Sequence, residues 1–360
     1  MAAKKETKND KKYLAYVGTY THEKSVGIYV YDIEVETGVL TFKEVVPINN
    51  PSDISASRDK EFLYSIADEG VAAFKIQKDG SLQFLNLEWI GGMRGCYLRA
   101  DSQRRFLFVA GYHDGRVTMM HLNPDGSIGS IADGIFHQGV GKSVAERPLI
   151  PHVNCVELTP DEKYLCAVDS GLHQMKIYEV DYEKGRLRLH DIVRCDMGCG
   201  PHRMRFSRDG KNAYIITENS NEILVYDYKL VDDKDASFEL VQKVSLLPNS
   251  DARACTGTNV KINMDDDMIY ASVDGLDAVV MFRRDKKTGL LDYLSDTAIS
   301  GDYPKSFAIL PGEKFIVSLN HDSNQIMTFS IDREKGHGLM AAKPISMEKP
   351  NSIIVLEIDQ

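Results

Sequence analysis

Short stretches of alternating apolar and polar residues recur along the whole chain. An apolar run of strand length, a polar turn rich in Asp, Gly and Lys, and a second run containing an aromatic residue form a unit that occurs six times. The copies span residues 54–66, 97–110, 156–168, 204–216, 261–273 and 307–319. Their turns are about 45 to 58 residues apart, which is the size of one four-stranded propeller blade. The pattern predicts an all-β fold built from repeated blades.

The outer strands and the chain ends complete this picture. Each hairpin is followed by a third strand with period-2 alternation, such as 117–122 or 223–228, and by a fourth strand after a turn such as Lys184-Gly185. Residues 14–19 and 27–33 form N-terminal strands, and residues 352–358 form an apolar strand without a neighbour in sequence. Pairing that last strand with the first blade would remove open sheet edges.

We therefore predict a seven-bladed β-propeller whose first blade is closed by the C-terminal strand. Residues 1–12 are predicted to be a disordered N-terminal tail, and residues 13–360 a single propeller domain. A β-sandwich is the main alternative, but it does not require blade-sized repetition.

Charge and hydropathy narrow the range of partners. The chain has 43 basic and 53 acidic residues, a net charge of -10, without a long basic run, which argues against nucleic acid as a partner. Its apolar runs stay far below the roughly 18 residues that a membrane span needs. The polar N-terminus lacks a signal-type hydrophobic region, so we expect a cytoplasmic protein, monomeric or weakly dimeric, without a membrane partner.

The cysteines do not form a metal-binding pattern. Cys195 and Cys199 are four residues apart, without a second pair or a matching His arrangement, and the other four cysteines are scattered. We interpret all six as buried free thiols and expect neither a metal nor another cofactor.

Polar side chains recur at one end of successive hairpins. The residue before the first strand and the residue after the second lie at the same end of an antiparallel hairpin. The residues found there are Tyr112, His113, His152, Asp169, His202, Arg203, Glu218, Lys305 and His321. A propeller arranges these ends around one channel mouth. One such His alone is more often solvated or bonded to backbone, but this recurrence favours a site. The charged turns at the opposite end are typical of turn chemistry alone.

At these positions the chain resembles the lactonase family of seven-bladed propellers, which includes bacterial 6-phosphogluconolactonases and fungal carboxymuconate-lactonising enzymes. The resemblance runs through YVGTYT (16–21), PHVNCVELTPDEKYL (151–165), GPHRMRFSRDGKNAYIITEN (200–219) and PKSFAILPGEKFIVSLNHDSNQI (304–326). It implies a catalytic site formed by His152, Arg203 and Glu218.

Three departures from the family pattern affect the charge of the site. His202 precedes Arg203 where the family usually has Arg before His, so either residue could take the family Arg role. Val273-Asp274-Gly275 replaces an Asn-Arg-Gly, which removes a positive charge, and Lys305 stands where Arg is common.

The resemblance implies hydrolysis of a small anionic lactone, 6-phosphogluconolactone first, in the pentose phosphate pathway. Glu218 or His152 would be the base, and Arg203 would stabilise the oxyanion. Lys305 and His202 would hold a phosphate or carboxylate, and the further substrate-binding residues would be Asp169, His321, Tyr112 and His113. The alternatives are another sugar lactonase, a carboxymuconate cycloisomerase and a non-catalytic binding propeller.

Overall fold

The strands form seven antiparallel sheets arranged as the blades of a propeller. The computed structural model describes residues 11–139, 149–232, 234–248 and 254–358. Within those ranges every regular element is a strand, and no helix is long and apolar enough to cross a membrane. The predicted tail lies mostly outside the described residues, although Lys12 already belongs to the first strand.

The strands follow the predicted repeats. Blade 1 contains β1 (Lys12–Thr19), β2 (Gly27–Glu34) and β3 (Val39–Pro47). Blade 2 contains β4 (Ile54–Ala56), β5 (Phe62–Ala67), β6 (Gly70–Ile76) and β7 (Leu82–Trp89). Blade 3 contains β8 (Tyr97–Ala100), β9 (Phe106–Gly111), β10 (Arg116–Leu122) and β11 (Ile128–Phe136). Blade 4 contains β12 (Val153–Leu158), β13 (Tyr164–Asp169), β14 (Gln174–Asp181) and β15 (Arg186–Arg194). Blade 5 contains β16 (Pro201–Phe206), β17 (Asn212–Thr217), β18 (Glu222–Val231) and β19 (Asp235–Ser245). Blade 6 contains β20 (Thr256–Ile262), β21 (Met268–Asp274), β22 (Ala278–Arg284) and β23 (Leu291–Ala298). Blade 7 contains β24 (Pro304–Ile309), β25 (Phe315–Asn320), β26 (Gln325–Asp332), β27 (His337–Met340) and β28 (Ile345–Ser346). The last strand, β29 (Pro350–Ile358), returns to blade 1.

Blade 1 is closed by the two ends of the chain, as predicted. Strand β29 pairs antiparallel with β1 from Lys12 opposite Ile358 to Gly18 opposite Ser352. It is the innermost strand of its sheet and contacts β24 and β4 of the neighbouring blades. The ring therefore has no open edge at this point.

The hydrophobic core lies between blades. Leu14 and Tyr16 of blade 1, for example, pack in one cluster with Leu63 and Phe74 of blade 2, and all four are fully buried. Each such side chain contributes roughly 1.5–3 kcal/mol through burial. The packed blades hold the innermost strands (β29, β4, β8, β12, β16, β20 and β24) around a central channel.

Four innermost strands carry a β-bulge at the same end. The register with the second strand skips one residue in each, namely Asn154, His202, Thr258 and Lys305. A bulge breaks the strict alternation of side chains and re-aims them. His202 and Arg203, although consecutive, are thereby both directed to the channel region.

Candidate active site

His152 stands at the start of β12 in a defined orientation. Its ring stacks on Tyr112 with a centroid distance of 4.2 Å and an interplanar angle of 12°. Its Nδ1 lies 2.9 Å from the Tyr112 carbonyl oxygen, which can only accept, so Nδ1 carries the proton. Nε2 has no hydrogen-bond partner in the described part of the chain and offers a lone pair. The predicted residues Tyr112 and His152 thus meet, and the Tyr112 backbone selects the His tautomer.

Glu218 follows β17 and lies beside His202 of the same blade. The distance from Glu218 Oε1 to His202 Nε2 is 3.5 Å. Burial raises the pKa of Glu218, while the charges of Lys305, Arg203 and His152 act in the opposite direction. Burial, together with Arg203 and Lys305, holds the pKa of His202 well below its ordinary value. His202 is therefore neutral near pH 7 and binds an anion only through an N–H group.

Lys305 belongs to an aromatic rim around this end of the channel. Its Nζ donates to the Tyr303 hydroxyl at 2.6 Å and lies 4.9 Å from the centre of that ring. His321 meets Tyr303 edge-on at 5.6 Å and Tyr20 at 5.7 Å. Tyr303 has a φ of 55°, a strained conformation for a bulky residue, of the kind that accumulates at functional sites. We call His152, His202, Glu218 and Lys305 with this rim the mouth.

His113 lies beside the mouth. Its ring meets Tyr112 edge-on at 5.4 Å, and it lines a cavity of about 560 Å³ with Glu69 and Arg94. Arg94 in turn lies over Tyr20, 5.0 Å from the ring centre. Tyr303, Tyr20 and Arg94 were not among the predicted site residues, although Tyr303 stands directly before β24 at the same hairpin end as Lys305.

Asp169 supports the mouth from below instead of lining it. The carboxylate is fully buried. Oδ2 lies 2.6 Å from Nδ1 of the buried His137, and Oδ1 accepts the backbone N–H groups of His152 and Leu172, both at 2.9 Å. The Tyr178 hydroxyl lies 3.0 Å from His137 Nε2. These bonds occupy the carboxylate, so Asp169 orients the backbone at His152 and has no oxygen free for a substrate.

Arg203 extends beneath the mouth across two neighbouring blades. Its guanidinium lies 4.6 Å from the centre of the Tyr97 ring and donates to the carbonyls of Asn154 and Cys96 at 3.4 and 3.5 Å. Such long bonds leave donor capacity for a ligand. The residue is 9% exposed, so its charge acts in a poorly hydrated environment.

The cysteines are all unpaired. Four are buried, whereas Cys96 and Cys195 are half-buried, which corrects the prediction for those two. In the described ranges no group of three metal-ligating side chains comes together. A cavity of about 850 Å³ lies at the turn end, lined mainly by residues of blades 3 and 4, and contains none of the predicted site residues.

Comparison with known proteins identifies relatives along nearly the full length. The pattern of the family described as "Lactonase, 7-bladed beta-propeller" matches residues 14–355. The 6-phosphogluconolactonase of Bacillus subtilis is 30% identical over 345 residues, covering 94% of this chain and 97% of the relative. The 6-phosphogluconolactonase of Formosa agariphila is 26% identical, covering 89% and 93%.

Solved structures agree on the fold. A Bacteroides fragilis protein is 28% identical with a TM-score of 0.87, covering 98% of this chain and 99% of its own. A periplasmic gluconolactonase of Pseudomonas aeruginosa has a TM-score of 0.90 at 24% identity, covering 96% and 99%. The match over residues 14–355 confirms the resemblance, and the chain belongs to the seven-bladed β-propeller lactonase family.

Proposed function

We propose that the chain hydrolyses 6-phosphogluconolactone at the mouth of its propeller. Membership of the lactonase family supports a lactone hydrolase, and two relatives carry the name of this activity. The observation that carries the assignment to the mouth is the His152 tautomer, because its unprotonated Nε2 can take a proton from an attacking water.

His152 is the general base of this proposal. Nε2 accepts one water proton while the water oxygen forms a bond to the lactone carbonyl carbon. The tetrahedral intermediate then collapses, the ring C–O bond breaks, and the protonated His152 returns its proton to the departing ring oxygen. Hydrolysis yields a hydroxyl and a carboxylic acid, which releases one proton to solvent. The Glu218 carboxylate, whose charge interacts with that of His152, stabilises the imidazolium formed in between.

Arg203 stabilises the negative charge that develops on the carbonyl oxygen. It is buried, and its two bonds to backbone carbonyls are long, so an oxyanion competes for its N–H groups effectively. Arg203 rather than His202 takes the family Arg role, because His202 is neutral.

Lys305 binds the phosphate of the substrate. Its ammonium group belongs to the rim, and His321, Tyr112 and His113 surround the same opening as hydrogen-bonding or stacking partners. The cytoplasm is the compartment of this proposal, since a phosphorylated sugar lactone is a charged molecule that membranes retain.

The test measures proton release from 6-phosphogluconolactone, corrected for spontaneous hydrolysis. We expect His152→Gln and Glu218→Gln each to reduce kcat by about 10²-fold or more. The matched controls His337→Gln and Glu183→Gln are exposed on outer segments and should retain full activity. Lys305→Met should raise KM for the phosphorylated lactone but not for unphosphorylated gluconolactone. Unchanged turnover in both the His152 and Glu218 variants would remove the mouth from the mechanism.

A further inference from the structure

The central channel below the mouth contains a cavity of which the proposed hydrolysis uses only Arg203. Its volume is about 410 Å³, and innermost strands of six blades contribute to its wall. Arg203 forms part of the wall nearest the mouth, while Arg58 and Lys60, at the turn between β4 and β5, lie at the opposite end. His152, Glu218 and Lys305 are not part of this wall.

The wall is strongly cationic, although the protein carries a net charge of -10. Arg99, Arg205, Arg203 and Lys261 line its interior, and Asp53 is the acidic residue among the lining side chains. Glu157, beside the cavity, pairs with Arg99 at 3.0 Å and with Arg205 at 3.4 Å. The single Glu157 carboxylate thus forms ion pairs with two guanidinium groups, and the wall of the cavity keeps an excess of positive charge.

Lys261 and Arg203 carry that excess. Lys261 Nζ has a single long hydrogen bond, 3.4 Å, to the Ile353 carbonyl, and Arg203 lies over the Tyr97 ring and donates two long hydrogen bonds to carbonyls. Among the described residues no carboxylate oxygen lies within 4.0 Å of either group. Asp53 is the acidic side chain whose charge acts on both cations, and one carboxylate cannot balance two cations in a poorly hydrated cavity.

The pKa of Lys261 reflects the positive charge of the surrounding wall. Burial lowers the pKa of Lys261 to about 7, and the charges of Arg205, Arg99 and Arg203 lower it as well, whereas Asp53 acts to raise it. A bound dianion would reverse this balance and raise the pKa again.

We propose that the channel interior is a second anion site, which takes a phosphate or phosphomonoester dianion between Lys261 and Arg203. Phosphate oxygens suit both a guanidinium fork and an ammonium group. The exposed Arg58 and Lys60 attract the anion from the turn end, so it reaches the site without passing through the mouth. The site goes beyond the proposed hydrolysis, and its occupant shares only Arg203 with that reaction.

The test is isothermal titration of the full chain with two probes, inorganic phosphate and sulfate. We expect binding of both, weakened at least tenfold in Lys261→Met and restored by Lys261→Arg. The exposed Lys229→Met is the matched control and should bind as the wild type does, whereas Lys305→Met reports separately on anion binding at the mouth. Sulfate remains a dianion throughout, so its Kd should rise as the pH increases above 7 and Lys261 loses its proton.

The outcomes separate the channel from the mouth. Loss of binding in Lys305→Met with full binding in Lys261→Met would place the anion at the mouth and overturn the proposal. A sulfate Kd of the wild-type protein that does not change between pH 6 and pH 9 would also overturn the proposal. This measurement does not require a folded Lys261 variant. Gluconate 6-phosphate, added as a third ligand, shows whether the organic ester or the free ion is preferred. None of these measurements needs activity, so failure of the lactonase assay leaves them interpretable.

Discussion

The buried Asp169 allows a sharp comparison of two substitutions. Asp169→Ala removes the acceptor of three donors, namely His137 Nδ1–H and the N–H groups of His152 and Leu172. A buried donor left without a partner costs about 1–3 kcal/mol, so we expect a loss of roughly 3–6 kcal/mol in the free energy of unfolding after some relaxation. The chemistry of the three bonds predicts a much smaller loss for Asp169→Asn.

In Asp169→Asn the amide oxygen can replace Oδ1 and keep both backbone bonds. The new NH₂ group then faces His137 Nδ1, which must become an acceptor. The neutral imidazole can shift its proton to Nε2, because its partner there, the Tyr178 hydroxyl, can accept as well as donate. Burial lowers the pKa of His137, which keeps the ring neutral and this exchange available. We expect a loss of about 1–2 kcal/mol.

Denaturant unfolding at pH 7.5 measures both values, with exposed Asp191→Ala as a control expected within about 0.5 kcal/mol of the wild type. Because Asp169 positions His152, kcat should fall in the Ala variant and be largely kept in the Asn variant. Equal losses of stability in the two variants would refute the tautomer exchange. A kcat unaffected in Asp169→Ala would show that His152 does not depend on this carboxylate.

Three further changes test the electrostatics and the closure of the ring. Lys305→Met removes a charge that lowers the pKa of Glu218, so Glu218 should be protonated at higher pH in this variant. The acid limb of the kcat/KM profile, where activity is lost because Glu218 is protonated, should therefore move to higher pH. A move to lower pH would contradict the assignment. Arg203→Lys keeps the charge but loses the planar donors and the contact with Tyr97, and should reduce kcat by about 10- to 100-fold at similar stability, measured by steady-state kinetics and thermal unfolding. Deletion of residues 349–360 removes β29 and opens blade 1, so cooperative unfolding should be lost in a denaturant titration.

The fold was predictable because blade formation is a local property. Each second strand is an apolar run between two turn signals, and strands such as β5, β9 and β13 are indeed buried along their full length. The apolar strand at the C-terminus was predicted to pair with the first blade, and β29 does pair there with β1. Hairpin geometry also grouped His152, Glu218 and Lys305 at one end correctly, since that rule needs only strand direction.

The role of Asp169 depended on contacts that strand patterns do not encode. A polar residue at a strand end looks the same whether it faces the channel or a buried partner, and its partner His137 follows the last strand of the preceding blade. Lys261 was missed for a related reason. It occupies an ordinary polar position of an innermost strand, and only closure of the ring makes that position part of a cationic cavity.

The bulge at His202 explains why the adjacent residues His202 and Arg203 both face the channel region. It also predicts how β16 responds to the deletion of single residues. Pro201 pairs with Thr217 and Arg203 with Ile216, so the ladder of β16 and β17 is complete without His202. Deleting His202 should therefore preserve the register from Arg203 onward and cost at most about 2 kcal/mol of stability. Deleting Met204, inside the regular ladder, would shift the strand by one residue and turn the side chains on one side of the deletion to the opposite face. We expect that variant to be insoluble or unfolded by circular dichroism and denaturant titration. Equal tolerance of the two deletions would mean that the ladder with β17 does not fix the register of β16.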